Sequence, residues 1–169
     1  PKSVRLDEKL REARAHGDKS LLAKMWVYSG LHEARYNIFD FRVSRHRDGP
    51  EEFFRDSHCK VQGDCFSGNK SVVLRSDGRL EFVACWAHVR RKFFDVHAAT
   101  SSPIAKEALD RIAALYAIEA QIKGKPPDER RLCRQEQTAP LIADLQLWLE
   151  STLSKISGKS ELAKAMRYA

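Results

Sequence analysis

The segment Cys85-Trp86-Ala87-His88-Val89-Arg90-Arg91-Lys92-Phe93-Phe94 decides how the second half of this chain folds. It combines a Cys-x-x-His pair, three consecutive cations and two aromatic residues, and from Trp86 onward it predicts a helix. An amphipathic helix does not need this mixture, because consecutive charged and aromatic residues spread around all sides of a turn of 3.6 residues. Some of these side chains are therefore expected to serve contacts with a partner rather than packing.

Two interpretations of this segment remain open. In the structural one, Trp86, Phe93 and Phe94 are core residues and the cations form a solvated face. In the functional one, Arg90, Arg91 and Lys92 contact the phosphates of a nucleic acid. We expect a mixture, with buried aromatic side chains and functional cations.

Composition points to a soluble, globular chain with a polyanionic partner. The 169 residues are 43% hydrophobic and 31% charged, with a formal net charge of +7. The excess of cations over anions is densest in residues 59–100, which carry 7 cations and 4 anions, against 12 and 10 in residues 1–58 and 11 and 9 in residues 101–169. No run is apolar enough for a membrane span and no secretory signal is visible, so we expect a cytoplasmic protein without a membrane partner.

The four cysteines are expected to be reduced thiols, because the chain shows no export signal. A zinc site built from Cys59, Cys65, Cys85 and His88 is an alternative. Only the last two residues have tight ligand spacing, and the paired Cys-x-x-Cys motif typical of structural zinc is absent.

Hydrophobic patterning predicts an α+β fold, with short strands first and helices segregated late. Extended segments are expected at residues 25–29 (interpreted as a buried strand), 36–43, 59–63, 71–74 and 80–84, with a hairpin turn at residues 76–78 joining the last two. Residues 5–24 are expected to form a helix or a loose excursion. Further helices are expected at residues 51–54, from Trp86, after Pro103 (with Leu109, Ile112, Tyr116 and Ala120 on one face), behind an Asp128 cap, along the stripe Leu141, Leu145, Trp148, Leu149 and Leu153, and at residues 161–169 behind a Ser160 cap.

Asp64 is the first candidate for chemistry. It follows the predicted strand at residues 59–63, and a carboxylate at a strand end is held rigidly enough to bind a metal ion. The alternative is that Asp64 only initiates the turn that follows, which is a common role for aspartate.

The segment CWAHVRRKFF, with the downstream LYAIE, ERR and LAKAMRYA segments, resembles the transposases of the IS66 insertion-sequence family. The resemblance implies an RNase H-like fold and a catalytic triad of two aspartates and a glutamate that holds Mg²⁺ or Mn²⁺. The segment around the second aspartate reads approximately Q-A-D-A-Y-x-G-Y in that family and QGDCFSGN here, so Asp64 would be the second catalytic acid and a metal ligand. Gly63, Cys65 and Asn69 depart from the pattern.

The other two acids of the triad are not matched. The first aspartate would fall at or before residue 1, Asp7 lacks the family's neighbours, and Asp40 is interpreted as an edge or solvent residue. The glutamate would follow the LAKAMRYA helix, and Glu161 precedes that position. The resemblance thus implies the central part of a transposase, with a partial RNase H-like core over residues 1–100 and a helical region over residues 101–169.

The resemblance also implies partners and roles. Arg90, Arg91 and Lys92 would contact DNA, His88 would lie near the cleaved bond, and the intact enzyme would bind element ends and target DNA as a homo-oligomer, with other proteins of the same element as further candidates. Two hypotheses of other classes remain. One is a catalytically inactive, nucleic-acid-binding remnant, and the other is a small zinc-binding interaction module.

Overall fold

The structure of the chain, a computed structural model, describes residues 2–17, 20, 23–30, 36–43, 47–65 and 67–169. It divides into two compact units, unit 1 over Pro1–Val83 and unit 2 over Ala84–Ala169. Parts of the predicted first helix (residues 18, 19, 21 and 22) and of the predicted turn after Asp64 (residue 66) lie outside the described residues. The strands among the described residues all lie in the first half, and the second half is entirely helical, which confirms the predicted α+β class.

Unit 1 contains short helices and two two-stranded sheets. In chain order its elements are α1 (Lys2–Ala15), β1 (Lys24–Gly30), β2 (Tyr36–Arg42), α2 (Asp48–Phe53), β3 (Cys59–Gly63), α3 (Ser67–Leu74) and β4 (Leu80–Ala84), the last of which reaches the boundary between the units. Within the described residues, β1 pairs with β2 in antiparallel register, and β3 pairs with β4.

Unit 2 is entirely helical. Its elements are α4 (Trp86–Thr100), α5 (Pro103–Ile122), α6 (Pro127–Cys133), a π-helical segment (Arg134–Thr138), α7 (Ala139–Leu153) and α8 (Glu161–Tyr168). In the described part of the chain, no helix is both long and apolar enough to cross a bilayer.

The β1–β2 pair packs one face and leaves the other open. On the packed face the ring of Tyr28 stacks on Phe53 of α2 at a centroid distance of 3.8 Å, and burial raises the pKa of Tyr28 to about 12. On the other face Met25 is 57% and Phe39 is 66% exposed. The strand at residues 25–29 is confirmed, but the prediction that it is buried was wrong, because α2 covers only the face that carries Tyr28.

Asp40 is held in an ion-pair network rather than being a solvent residue. Its Oδ2 lies 2.7 Å from Nε of Arg42, whose Nη2 lies 3.0 Å from Glu52 of α2. The Asp40 side chain is 14% exposed. Asp40 lies on an edge strand, since its described sheet has two strands, but the interpretation as a solvent residue was wrong, because Arg42 and α2 shield it.

Residues 71–74 are helical rather than extended. They form the second half of α3, and β3 takes β4 as its partner instead. Two adjacent β-branched residues, Val72 and Val73, suggested a strand. Tertiary packing overrides that preference, because the helix buries Val72 to 6% exposure.

The core of unit 2 lies between α4, α5, α7 and α8. Its buried members are Val89, Phe93, Ala108, Ile112, Leu115, Leu145, Ala165 and Met166. On α5 the predicted face was partly wrong, because Tyr116 is 42% exposed while Ala105 and Ala108 are fully buried. The buried alanines lie outside the predicted face, and Ala120, which the prediction placed on it, is exposed.

Helix ends in unit 2 follow their expected signals with one exception. Ser160 accepts a hydrogen bond from the backbone N–H of Ala163, as predicted for the cap of α8, and Ser102, at the predicted break, accepts one from Ala105 at the start of α5. Asp128 does not cap α6. Pro126 occupies the N-cap position, and Asp128 lies in the first turn, where its charge suits the helix dipole.

The π-helical segment precedes a proline in an otherwise continuous helical stretch. The N–H of Ala139 donates to the carbonyl of Arg134, five residues earlier. Pro140 has no N–H, and in an α-helix its ring would clash with the carbonyl of Glu136. The wider π turn accommodates Pro140 without ending the helix.

Candidate functional site

Asp64 directly follows β3, as the sequence predicts, and its carboxylate is held by a neighbouring amide. The Nδ2 of Asn69, in the first half of α3, donates to Oδ1 of Asp64 at 2.7 Å and approaches the Asp64 carbonyl at 3.4 Å. Asp64 and Asn69 are half-buried. The carboxylate is thus oriented by a contact that spans the start of α3.

Gly63 provides the space for this contact. A Cβ atom at position 63 would lie 3.3 Å from Nδ2 of Asn69 and 3.8 Å from the ring of Phe82. The nearer of these distances is tighter than ordinary van der Waals contact, so a larger residue would press on the amide that holds Asp64. Gly63 and Asn69, both of which depart from the family pattern, therefore belong to one local arrangement.

Replacing Asn69 by alanine is expected to destabilise unit 1 by about 1.5 kcal/mol, because a hydrogen bond to a charged group is lost. In an Asp64→Ala background the same replacement should cost less, with a coupling of about 1 kcal/mol between the two positions. Urea denaturation of the four proteins, followed by circular dichroism, measures this coupling. Equal costs in both backgrounds would mean that the Asn69 amide does not hold the carboxylate.

The described residues supply Asp64 with no complete metal site. No group of three or more His, Cys, Asp or Glu side chains in the described part of the chain is arranged to hold a metal ion. Asp7 is an exposed residue of α1, and Glu161 lies 2.5 Å from Lys164 on α8. The carboxylates expected for a two-metal site are thus not assembled among the described residues.

The candidates for DNA contact on α4 are all exposed, although consecutive positions spread them around the helix. The helix buries Val89 and Phe93, whereas His88, Arg90, Arg91 and Lys92 are exposed. Asp64 belongs to unit 1 and α4 to unit 2.

The three consecutive cations of α4 form no ion pair with the described residues, unlike several cations elsewhere in unit 2. Each of the ion-paired cations contacts a carboxylate within 4 Å, namely Lys106, Arg111, Arg131, Arg134 and Lys164. The charge of α4 is therefore not neutralised locally and remains available to an external anion.

Two of these cations rest on aromatic rings. The guanidinium of Arg90 lies 6.0 Å from the ring centroid of Phe94, and the ammonium of Lys92 lies 5.5 Å from that of Tyr168. Phe94 is 47% exposed, so the expectation that it is a core residue was wrong. It follows Phe93 by one position, about 100° around the helix, and thus turns away from the core.

Cys85 and His88 share the first turn of α4. Cys85 occupies the N-cap position, and its carbonyl accepts a hydrogen bond from the N–H of His88 at 3.1 Å. None of the four cysteines is joined to another in a disulfide. The zinc interpretation gains no support, since the described residues contain no cluster of three potential ligands.

Sequence reasoning did not find Asn69 as the partner of Asp64. It treated residue 69 only as a departure from the family pattern and assigned residues 65–69 to a turn. A helical assignment of residues 67–74 would have indicated this partner, because it places Asn69 in a helix that begins three residues after Asp64.

The fold and the site define a basic α+β protein with a strand-end carboxylate in one unit and a row of locally unpaired cations on a helix of the other. The chain belongs to the IS66 family of transposases, whose family model matches residues 5–169. The predicted resemblance is thereby confirmed. No solved structure matches the chain.

Three similar proteins come from Sinorhizobium fredii (strain NBRC 101917 / NGR234). The protein named "Uncharacterized protein y4qI" is 39% identical over 95 residues, covering 56% of this chain and 17% of that protein. "Uncharacterized protein y4hP" is 28% identical over 171 residues, covering 89% and 31%, and "Uncharacterized protein y4jD" is 40% identical over 112 residues, covering 64% and 22%. The chain spans less than a third of the length of each of these relatives.

Proposed function

We propose that this chain acts in DNA transposition by binding the DNA backbone through α4, and that Asp64 is one acid of the DNA-cleaving site. Membership of the IS66 transposase family supports the process. The observation that carries the binding role is the row Arg90, Arg91 and Lys92, exposed and without an ion pair to the described residues. An RNase H-like core over residues 1–100, a helical insertion over residues 101–169, a homo-oligomer and partner proteins of the same element remain predictions.

Phosphate contact is the chemistry that fits α4. Lys and Arg side chains that neutralise phosphates release condensed counterions, and this release dominates the affinity of proteins for DNA. The contacts of Arg90 with Phe94 and of Lys92 with Tyr168 restrict the two side chains before binding. Less conformational entropy is then lost when phosphate is bound.

Asp64 supports a catalytic role only in part. Its position after β3 and the hydrogen bond from Asn69 would hold one carboxylate in a fixed orientation for a divalent cation. The described residues do not complete such a site, so no catalytic step can be derived from them. This observation favours a second candidate function, a nucleic-acid-binding remnant without cleavage activity.

The two candidates are distinguished by measuring binding and cleavage separately on the 169-residue chain. Fluorescence anisotropy with a labelled duplex should show binding that needs no Mg²⁺ and weakens steeply with salt. The slope of log binding constant against log salt concentration should be about −2.7 or steeper, as expected for three phosphate contacts. Nicking of supercoiled plasmid with Mg²⁺ or Mn²⁺ then tests Asp64.

Nicking that is lost in Asp64→Asn while binding persists would support the catalytic role. Binding without nicking is expected of the remnant and also of a catalytic segment whose metal site is incomplete among the described residues. Nicking that Asp64→Asn leaves unchanged would contradict the catalytic role. A chain that shows no salt-dependent binding to duplex DNA would contradict both candidates.

A further inference from the structure

Unit 1 contains a surface depression whose lining carries more positive than negative side chains and does not include Asp64. It has a volume of about 270 Å³ and lies between the end of α2, the end of α3 and the start of β4. Its lining includes three arginines, Arg55, Arg75 and Arg79, against a single acid, Glu51. We call it the basic depression.

Arg79 supplies a fixed positive charge on the wall of the basic depression. Its Nη1 donates to the backbone carbonyls of Phe54 and Ser57 at 3.3 Å each, and also to that of Arg55. These carbonyls are neutral, so they orient the guanidinium without cancelling its charge. The same hydrogen bonds fasten the connection between α2 and β3 to the start of β4.

Arg55 and Arg75 are exposed and have no hydrogen bond or ion pair from their side chains to the described residues. The acid in the lining, Glu51, is already engaged, because its Oε1 lies 3.1 Å from Nε of Arg47. Two arginines beside a third, fixed one repel each other unless an anion lies nearby. An anion from outside the chain would relieve this repulsion.

Apart from Ser76, whose hydroxyl donates to the carbonyl of Val73, the rest of the lining is apolar. Phe54, Val72 and Leu80 contribute to it, with Val72 at 6% and Leu80 at 5% exposure. The ligand that suits a cationic lining with apolar parts carries an anionic group on a body with nonpolar surface. A nucleic-acid strand has this character, because phosphates alternate with sugars and bases along it.

We infer that the basic depression is a second DNA-backbone contact, in which Arg55 and Arg75 bind phosphate and the apolar lining contacts the adjoining sugar. This inference rests on the proposed function, in that it assigns a further surface to the same DNA. It places phosphate contacts on unit 1 in addition to those of α4 on unit 2.

The test is the affinity of the 169-residue chain for a fluorescein-labelled duplex as a function of salt. The double variant Arg55→Gln/Arg75→Gln should bind about 20-fold more weakly at 0.15 M salt, with the log–log salt slope reduced by about 1.8, as expected for two lost phosphate contacts. The control is Arg11→Gln/Arg14→Gln, which removes the same charge from two exposed arginines of α1. We expect the control to change affinity by less than about threefold, because neither arginine lines the basic depression and salt screens exposed charges.

The inference is overturned if the Arg55/Arg75 variant loses no more affinity than the Arg11/Arg14 control. Its failure is distinguishable from failure of the proposed function. If neutralising the α4 cations abolishes binding while neutralising Arg55 and Arg75 does not, the chain binds DNA without using the basic depression. If the unaltered chain does not bind duplex DNA, both assignments fail.

Discussion

Neutralising Arg90, Arg91 and Lys92 together, as Arg90→Gln/Arg91→Gln/Lys92→Gln, is expected to weaken duplex DNA binding about 100-fold at 0.15 M salt. Each lost phosphate contact removes about 0.9 from the log–log salt slope, so the slope should fall by about 2.7. Glutamine keeps much of the aliphatic stem and is a good helix former, so α4 should stay folded. The loss can therefore be assigned to charge.

The matched control is Lys123→Gln/Lys125→Gln/Lys159→Gln, which removes three exposed cations from the same unit. None of these lysines forms an ion pair with the described residues. If affinity depended only on net charge, both triple variants would bind equally weakly. That outcome would contradict a DNA-binding role for α4, whereas a selective loss in the α4 variant would support it.

Phe93→Ala is expected to destabilise unit 2 by about 3–5 kcal/mol. Phe93 is 1% exposed and belongs to the core that joins α4 to α5, α7 and α8. Alanine would remove the ring and leave a cavity that packed helices fill only in part. A loss of this size is a large fraction of the stability of a small domain. Urea denaturation followed by circular dichroism at 222 nm measures it.

Phe94→Ala is the control for Phe93, because it deletes the same ring one position along the same helix. Phe94 is 47% exposed, and its replacement should cost about 1 kcal/mol or less. Similar losses of unfolding free energy at the two positions would mean that α4 does not pack its Phe93 side against the core. If Phe93→Ala does not fold, Phe93→Leu should show a smaller loss of the same origin.

Local signals made most of unit 2 predictable. The helix from Trp86, the break at residues 101–103, the helix that carries the Leu145 stripe and the Ser160 cap were confirmed, because capping and helical periodicity are properties of neighbouring residues. Of the stripe itself, Leu141 is 38% exposed and lies outside the core. The errors have a common cause. Whether residues 71–74 are helical, or residues 25–29 buried, depends on which element packs against them, and this information lies elsewhere in the chain.

The candidate site was predictable only residue by residue. The position of Asp64 after a strand and the row of cations on α4 were readable, because each depends on a few adjacent residues. The amide that holds Asp64 was not readable, since it required residues 67–74 to be helical. The basic depression was equally hidden, because folding brings Arg55 together with Arg75 and Arg79, some twenty residues further along the chain. The assignment of Asp64 and of the α4 cations to DNA chemistry stays a prediction.

The π turn before Pro140 changes the rotation of α7 relative to α6 within one continuous helical stretch. Cys133, half-buried, and Leu145, 3% exposed, are twelve positions apart, and a regular α-helix would place them about 120° apart around its axis. The π turn absorbs one extra residue, which reduces the difference to about 20°. The side of the helical stretch that carries Cys133 before Pro140 is then the side that carries Leu145 after it. The length of this segment is consequently constrained in one direction, because one further residue would rotate the Leu145 stripe by about 100°, whereas a one-residue deletion would restore a regular α-helix and keep the stripe in phase.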